Sequence, residues 1–299
     1  MIDEKFSFTN FKIHTQYSIC EGAIKIEDLA QYCKENKIPA IGLSDSTNLC
    51  GALEFSESIS KVGTQPIIGT QINFKYSDTI GKLPIFAKTE LGYGNLVKLS
   101  SKSFLESNEK EVPNCSIEEL LKNNKDIMVL SGGIDSLFSN LVKKNKIKEV
   151  ESLATKLKET FSNSFYLEIQ RHNDEGEKRL ENTFLNLSEK INIPLIASQE
   201  IFYINKDMHE AHDALLCIGE KTYVDEKNRR KYTNQHYIKP ADEIKKLYSD
   251  IPEALENNYN FPYRFNYKLK KSKPILPSLK ISSNRTEEEE LEFQSKIGL

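Results

Sequence analysis

Imidazole and carboxylate side chains stand at the predicted C-terminal ends of several strands, where they could bind a metal ion together. Four of the seven strand-end positions carry such groups, and these are His14, Asp45, His172 and Glu200. Histidine nitrogen and carboxylate oxygen are ligands for borderline and hard divalent metals. The other three strand ends carry Gln71, Lys88 and Ser131. Ligands spread over many strands are what a converging, multidentate site requires.

Seven apolar segments, most of them separated by stretches with helical periodicity, must position these side chains. This alternation favours a parallel α/β sheet closed into a barrel, in which the chemistry gathers at the C-terminal ends of the strands. An open doubly wound sheet is the alternative, but neither glycine-rich nucleotide-binding motif occurs in the sequence. The predicted strands are 8–14, 39–45, 66–74, 83–88, 126–131, 164–170 and 193–198.

The amino-acid composition and the net charge exclude several classes of protein. The 299 residues are 38% hydrophobic and carry a formal net charge of −3, which excludes a disordered chain and disfavours autonomous DNA binding. No apolar run approaches the roughly 18 residues needed to cross a bilayer, and the N-terminus lacks the apolar core of a signal peptide. The five cysteines are scattered, without a Cys-x-x-Cys pair. We therefore expect a cytoplasmic protein with no membrane partner.

Several longer segments together resemble one known family. They are IHTQYSICEG at 13–22, LSDSTNLCG at 43–51, KVGTQPIIG at 61–69, FYLEIQRH at 165–172, IASQEIFY at 196–203 and DIPEAL at 250–255. In this order they resemble the PHP (polymerase and histidinol phosphatase) domain at the N-terminus of the alpha subunit of bacterial DNA polymerase III. The resemblance implies a distorted seven-stranded (βα)7 TIM-like barrel. It also implies, for intact members, a multi-metal cluster that activates water against phosphoesters.

The sequence departs from the family at four ligand positions. The family's His-x-His, Thr-Asp-His, Gly-x-Glu and Asp-x-His motifs are replaced, so that the lost ligands are Lys12, Ser46, Gln71 and Phe202. A lysine only donates hydrogen bonds and repels a cation, and a phenylalanine cannot bind a metal. The remaining ligand positions are His14, Asp45, His172 and Glu200. We expect no metal and no catalysis at this site; the alternative is zinc or manganese in the barrel mouth.

Other roles are open for the same residues. His14 and His172 are interpreted as hydrogen-bonded residues of the barrel mouth, and Asp45 could cap the following turn through Thr47 or Asn48. We also hypothesise that the Lys12 ammonium pairs with Asp45 or Glu200 and so replaces the charge of a metal ion.

Two motifs elsewhere suggest other functions. The two histidines of His209-Glu-Ala-His212 are three residues apart, whereas a zinc protease helix needs four, so a polar helix face is the preferred interpretation. The basic runs 227–231 and 268–273 are each interpreted as solvated loops. The second run could contact DNA phosphates through Lys268, Lys270, Lys271 and Lys273.

The resemblance also sets expectations for domains and partners. We expect a PHP barrel over 1–275 and, over 276–299, a linker and first helix that lead into a polymerase palm domain, with a capping box of Thr286 and Glu289. No Asp-x-Asp occurs here, so the magnesium-dependent chemistry would belong to that palm. The resemblance implies a module that joins the rest of the alpha chain and docks the proofreading exonuclease (epsilon) subunit, with DNA held mainly by other domains. The alternative is an active phosphoesterase, either a 3′–5′ exonuclease or a small-molecule phosphatase.

Overall fold

Nine strands form one curled sheet in the computed structural model, which describes residues 7–275, 277, 281 and 285–299. Within the described residues the strands are β1 Lys12–Ile13, β2 Ala40–Ser46, β3 Gln65–Tyr76, β4 Thr79–Ala87, β5 Cys115–Ser116, β6 Ile127–Leu130, β7 Phe165–Ile169, β8 Leu195–Ala197 and β9 Glu200–Ile201.

The sheet closes on itself through a single chain segment. Its order is β8-β7-β6-β4-β3-β2-β1-β9, with β5 paired to β3 outside this path. The two ends of the order, β8 and β9, are separated by only Ser198 and Gln199 and are therefore successive halves of one bent strand. Seven strand positions thus surround the interior, and the predicted distorted seven-stranded α/β barrel is confirmed. We call the end at which β2, β3 and β7 finish the mouth, and the opposite end the floor.

One strand, β4, is antiparallel to its neighbours, whereas the sequence predicts a wholly parallel barrel. β3 and β4 form an antiparallel hairpin in which Tyr76 pairs with Thr79 and Gly69 with Phe86, and β4 is also antiparallel to β6. A two-residue turn joins them, because Ser77 adopts the left-handed backbone (φ 55°) that such a turn requires. No helix intervenes between these strands. The mouth end of β4 is therefore its beginning rather than its end.

This reversal moves one predicted site residue to the wrong end of the barrel. Lys88 lies at the floor, where its Nζ donates to Ser164 Oγ at 3.0 Å, and Ser164 directly precedes β7. The residue that β4 brings to the mouth is instead Lys82. The prediction of Lys88 as a mouth residue is wrong because it assumed a parallel fourth strand.

Most of the described helices pack one apolar stripe against the rest of the protein, whereas the last helix buries none of its residues. In the first helix the buried side chains are Ile26, Leu29, Ala30 and Cys33, at the spacing that the sequence predicts. The described helices are α1 Ile26–Glu35, α2 Ala52–Lys61, α3 Glu90–Leu105, α4 Ile117–Lys122, α5 Leu137–Lys143, α6 Ile147–Phe161, α7 Glu177–Ile191, α8 His209–Glu220, α9 Ala241–Leu247, α10 Pro252–Asn260 and α11 Glu287–Gly298.

Side chains inside the barrel lie in an apolar lower layer and a polar upper layer. The lower layer includes Phe11, Phe86, Met128, Ile196 and Phe261. Strand alternation sends every second residue inward, so the same strands supply polar side chains nearer the mouth. On β1, for example, Ile13 belongs to the outer core, whereas the buried residues on either side of it point into the barrel.

The last helix has the predicted N-terminal cap. Thr286 accepts a hydrogen bond from the Glu289 backbone N–H, and the Glu289 side chain accepts one from the Thr286 N–H, which confirms the capping box. Residues 276, 278–280 and 282–284 of the predicted linker lie outside the described residues, and the proposed boundary at 275 stays a prediction. Among the described helices, none is long and apolar enough to cross a membrane.

Candidate functional site at the barrel mouth

A single carboxylate, that of Glu200 on β9, lies at the centre of the polar layer. One of its oxygens is 2.5 Å from His14 Nε2 and 2.5 Å from Gln71 Nε2. The other is 2.5 Å from Lys12 Nζ and 3.1 Å from Gln170 Nε2. Side chains from β1, β3 and the end of β7 therefore converge on Glu200 of β9. The groups that converge are hydrogen-bond donors and a cation, where a metal cluster would need electron-pair donors.

Lys12 is the buried cation of this cluster. Its side chain is fully buried, and its ammonium also lies 3.0 Å from Glu168 on β7. Burial opposes the charge, but Glu168 and Glu200 outweigh it and raise the pKa of Lys12 above its ordinary value. Burial likewise opposes ionisation of Glu200, yet Lys12 and His14 hold the pKa of that carboxyl well below its usual range. The hypothesised Lys12–Glu200 ion pair is present, and the ammonium stands between two carboxylates.

Asp45 faces away from this cluster. On β2 the residues that flank it, Ser44 and Ser46, occupy the inward positions, so alternation turns Asp45 towards the loop after β1. Its carboxylate accepts from Thr15 N at 2.7 Å, Thr15 Oγ1 at 2.8 Å and Ser18 Oγ at 2.7 Å. Burial raises the pKa of Asp45 despite these bonds. Its predicted pairing with Lys12 and its predicted capping through Thr47 or Asn48 are both wrong.

His172 lies at the mouth with both ring nitrogens already bonded. The Glu200 backbone N–H donates to His172 Nε2 at 3.1 Å, so the ring proton is on Nδ1 and is shared with Glu177 at 3.1 Å. Burial, together with the charges of His236 and Lys239, lowers the pKa of His172 well below its ordinary value. The interpretation of His172 as a hydrogen-bonded mouth residue agrees with this geometry, and so does that of His14.

A second group of potential ligands surrounds His172. Suitable atoms of His172, Asp174 and His236 lie within 4.8 Å of one another. The two imidazole rings are stacked, however, with centroids 4.1 Å apart and planes 6° from parallel. Because imidazole lone pairs lie in the ring plane, stacked rings do not point at a common ion. His236 instead shares a hydrogen bond with Asp174 at 2.8 Å.

Several charged residues of the mouth were not predicted from the sequence, among them Glu21, Lys82, Glu168 and Arg230. The Glu21 carboxylate is 3.0 Å from Lys82 Nζ and also contacts Arg230 and Ser46 Oγ. Burial opposes its ionisation, but Lys82, His14 and Arg230 lower the pKa of Glu21. Glu21 lies within the 13–22 motif, which was a signal for it, whereas Lys82 could not be found without the direction of β4.

Arg230 changes the interpretation of the first basic run. The prediction of a solvated loop over 227–231 is wrong for two of its residues. Arg230 caps Glu21 at the mouth, and the guanidinium of Arg229 forms two hydrogen bonds of 2.6 and 2.7 Å with Asp213. Arg230 of this run therefore lies at the mouth, and Arg229 binds the run to α8.

At the lost ligand position Phe202, the side chain is part of an aromatic stack. Its ring lies 4.6 Å from that of His14, 4.8 Å from Tyr232 and 5.2 Å from His212. His212 is buried with its Nε2 2.8 Å from Glu21 O, so the expectation of a polar face for α8 is wrong at this residue. The remaining cavity at the mouth is about 20 Å³, which suits about one water molecule.

The residues present do not fit the multi-metal cluster that intact family members would hold. At the first of the four lost ligand positions stands the ammonium of Lys12, which is paired with Glu200. At the third, the Gln71 amide donates a hydrogen bond, and at the fourth the Phe202 ring packs against other rings. The histidine nitrogens that remain are bonded to protein groups, and the free volume is small. We therefore assign no chemical step to a metal at this site.

The barrel and its mouth define the class of the protein. A closed seven-stranded α/β barrel with converging polar side chains at the C-terminal strand ends is a TIM-like barrel with its site in the usual place. Residues 10–172 match the family model described as the PHP domain, and the chain belongs to the PHP domain family.

The most similar curated relatives include DNA polymerase III alpha subunits. That of Caulobacter vibrioides is 34% identical over 300 residues, covering 98% of this chain and 26% of the relative. That of Borreliella burgdorferi is 33% identical over 287 residues, covering 92% and 25%. That of Haemophilus influenzae is 30% identical over 296 residues, covering 98% and 25%. The chain therefore spans about a quarter of the length of these relatives and corresponds to the PHP domain of the alpha subunit.

The similarity to solved structures is weaker than the similarity to these relatives. A candidate metal-dependent phosphoesterase from Bifidobacterium adolescentis has a TM-score of 0.44 and 12% identity, covering 64% of this chain and 86% of the other. A two-domain protein from Bacteroides vulgatus that contains a predicted PHP-like metal-dependent phosphoesterase has a TM-score of 0.42 and 13% identity, covering 84% and 63%.

Proposed function

We propose that this chain is a PHP module of a replicative DNA polymerase III alpha subunit that acts in the cytoplasm as a structural domain without catalysis of its own. The proposal rests on one observation. Positively charged side chains of the chain stand among the acidic side chains of the mouth, where metal ions would otherwise balance the charge. Four acidic side chains lie in or beside the mouth, and three cations of the chain neutralise most of that charge. The acids are Glu21, Asp45, Glu168 and Glu200, and the cations are Lys12, Lys82 and Arg230.

The proposed partners are inferred from the family, and not from the geometry of the mouth. The relatives are alpha subunits about four times as long, so the rest of an alpha chain is the first partner. Magnesium-dependent synthesis and most DNA contacts would belong to that part. The second partner is the proofreading exonuclease (epsilon) subunit. The predicted phosphate contacts Lys268, Lys270, Lys271 and Lys273 are all exposed, as such contacts must be.

The lack of metal chemistry has a direct test. Elemental analysis of the purified chain is expected to give less than about a tenth of an equivalent of zinc or manganese, because the ligand positions are filled by bonded groups. Hydrolysis of bis(p-nitrophenyl) phosphate with either metal added is expected to stay at background. His209→Ala, which removes a histidine outside the polar layer, serves as the matched control for His14→Ala.

The alternative is an active phosphoesterase, and what favours it is the set of ligand positions that remain, which are His14, Asp45, His172 and Glu200. Near-stoichiometric metal, with hydrolysis that His14→Ala abolishes and His209→Ala leaves intact, would establish this alternative and overturn the structural role.

The docking role is tested separately. The immobilised chain is expected to retain the purified exonuclease subunit of the same replisome in about equimolar amount, and to retain an unrelated protein of similar charge at background level. Gel filtration of the mixture checks that the two elute together. Separate elution at concentrations above 10 μM, roughly the upper limit for a stable module interface, would contradict docking and leave the family membership untouched.

A further inference from the structure

Helix α3, Glu90–Leu105, is held on the outside of the barrel by its inner face. The buried residues of this face are Gly92, Asn95, Leu96, Leu99 and Ser103. The Asn95 side-chain amide donates to Lys125 O at 3.0 Å, and a Cβ on Gly92 would lie 2.1 Å from Asp126 O. The inner face is therefore in close contact with the chain before β6, and α3 has a fixed position.

The outer face of α3 is apolar, whereas the exposed face of a helix at a protein surface is usually charged. The exposed large apolar residues of the helix are Leu91, Val97, Phe104 and Leu105. Over residues 90–98 the only charged side chains are Glu90 and Lys98, and both are exposed. Within the described part of the chain, neither of them has an ion-pair partner. A helix face of this kind is typical of a contact with another protein surface.

Gly94 lies in the middle of this outer face. A Cβ added to it would have no neighbour within 4 Å among the described residues, apart from the adjoining parts of α3. No contact inside the protein thus requires a glycine here, although glycine is among the least favourable residues in a helix interior. A glycine does allow a second helix to approach closely, because the side chains at the crossing point set the distance between two helix axes.

The residues on either side of Gly94 are complementary to themselves under a two-fold rotation. Glu90 lies four residues before Gly94 and Lys98 four residues after it, while Leu91 and Val97 lie three before and three after. Residues three and four apart share one helix face. In an antiparallel pair of α3 helices that cross at Gly94, each Glu90 therefore lies opposite the second copy's Lys98. Each Leu91 likewise lies opposite the second copy's Val97.

We propose that the outer face of α3 is a two-fold interface between two copies of this chain, with Gly94 at the crossing point. The charges favour a second copy over a different partner, because the same face in the reversed direction neutralises both Glu90 and Lys98. This self-association goes beyond the proposed structural role and does not depend on it. A single pair of helices buries less than the roughly 1,200 Å² of a standard interface, so the dimer is weak and exchanges rapidly.

Sedimentation equilibrium of the 299-residue chain, at concentrations up to about 1 mM, tests the interface, since a dissociation constant of that size corresponds to a small net free energy of association. A monomer–dimer equilibrium is expected. Glu90→Lys and Lys98→Glu each place like charges opposite each other, and each is expected to weaken the dimer at least about tenfold. Lys178→Glu, a charge reversal at an exposed residue of α7, is the matched control and is expected to leave the equilibrium unchanged.

A mixture of the two weakened variants is specific for a second copy as the partner. In a mixed dimer, the chain with Glu90→Lys presents two cations on this face and the chain with Lys98→Glu presents two anions. Opposite charges then face each other again, so the mixture is expected to dimerise at least as tightly as the unaltered chain. A chain that carries both substitutions is expected to dimerise like the unaltered chain for the same reason.

Gly94→Gln separates association from folding. Glutamine is a better helix former than glycine, so thermal unfolding is expected at the same or a higher temperature. Its side chain keeps the two helices apart, and the dimer is expected to weaken at least about tenfold. Thermal unfolding checks that the charge variants are folded as well. The proposal is overturned by an unaltered chain that stays monomeric at about 1 mM, by a mixture that dimerises no better than either variant alone, or by a Gly94→Gln variant that dimerises as the unaltered chain does.

Discussion

Lys12→Met is expected to lower the free energy of unfolding at pH 7 by about 3–5 kcal/mol, the usual result of removing one partner from a buried ion pair. Methionine matches the length of the lysine side chain but carries no charge. Glu200 and Glu168, which lie 2.5 and 3.0 Å from the ammonium, would then face each other across the barrel without a counter-charge. Urea denaturation followed by circular dichroism measures the loss.

The size of this loss is expected to depend on pH. The pKa of Glu200 is lowered in the folded protein, so the stability that its pairing contributes is present above about pH 4.5 and is lost as the pH falls. In the variant the buried carboxyl can take up a proton instead. The difference between the two proteins should therefore shrink as the pH falls below about 5.

Two further variants make the Lys12 prediction specific. Lys75→Met breaks a partly exposed ion pair of similar length, 2.7 Å to Glu111, and is expected to lower the stability far less because water reaches both groups. Lys12→Met combined with Glu200→Gln removes one of the unpaired charges and is expected to regain part of the stability. If Lys12→Met is no more costly than Lys75→Met, the ammonium does not take the place of a metal in holding the mouth together.

The barrel could be predicted from the sequence because its signals are local. Apolar strand segments and amphipathic helices such as α1 follow periodicities that need no knowledge of the rest of the chain. The hairpin of β3 and β4 escaped prediction because two apolar segments in succession look the same whether a short turn or a longer crossover joins them. Strand direction is decided by the turn at Ser77, and it determines which of Lys82 and Lys88 reaches the mouth.

The site could be predicted only in part, for a different reason. Lys12, His14, Gln71 and Glu200 do converge, because residues at the C-terminal ends of barrel strands must meet. Asp45 does not join them, since its position on β2 faces outward, and a shift of one residue decides the face. Arg230 reaches the mouth from a long loop about 200 residues away from Glu21 in the sequence, a contact that no local pattern encodes.

Phe261→Ala is expected to cost about 3–5 kcal/mol of unfolding free energy, as for other large buried aromatic residues. The side chain is 1% exposed and packs against three rings, those of Phe11, Phe86 and Phe265, at 4.3, 5.6 and 4.8 Å. These rings belong to separate parts of the chain, with Phe86 on β4 and Phe11 just before β1, so the space that Phe261 leaves is expected to stay largely unfilled. Urea denaturation at pH 7 measures the loss.

The control for Phe261→Ala lies two residues further along the chain. Tyr263→Ala removes a ring that is 76% exposed, and it is expected to leave the unfolding free energy nearly unchanged. The two variants compare a buried ring of the lower apolar layer with an exposed ring of the same segment. A Phe261→Ala loss below about 1 kcal/mol, the range of a peripheral contact, would show that the lower apolar layer does not depend on the Phe261 ring.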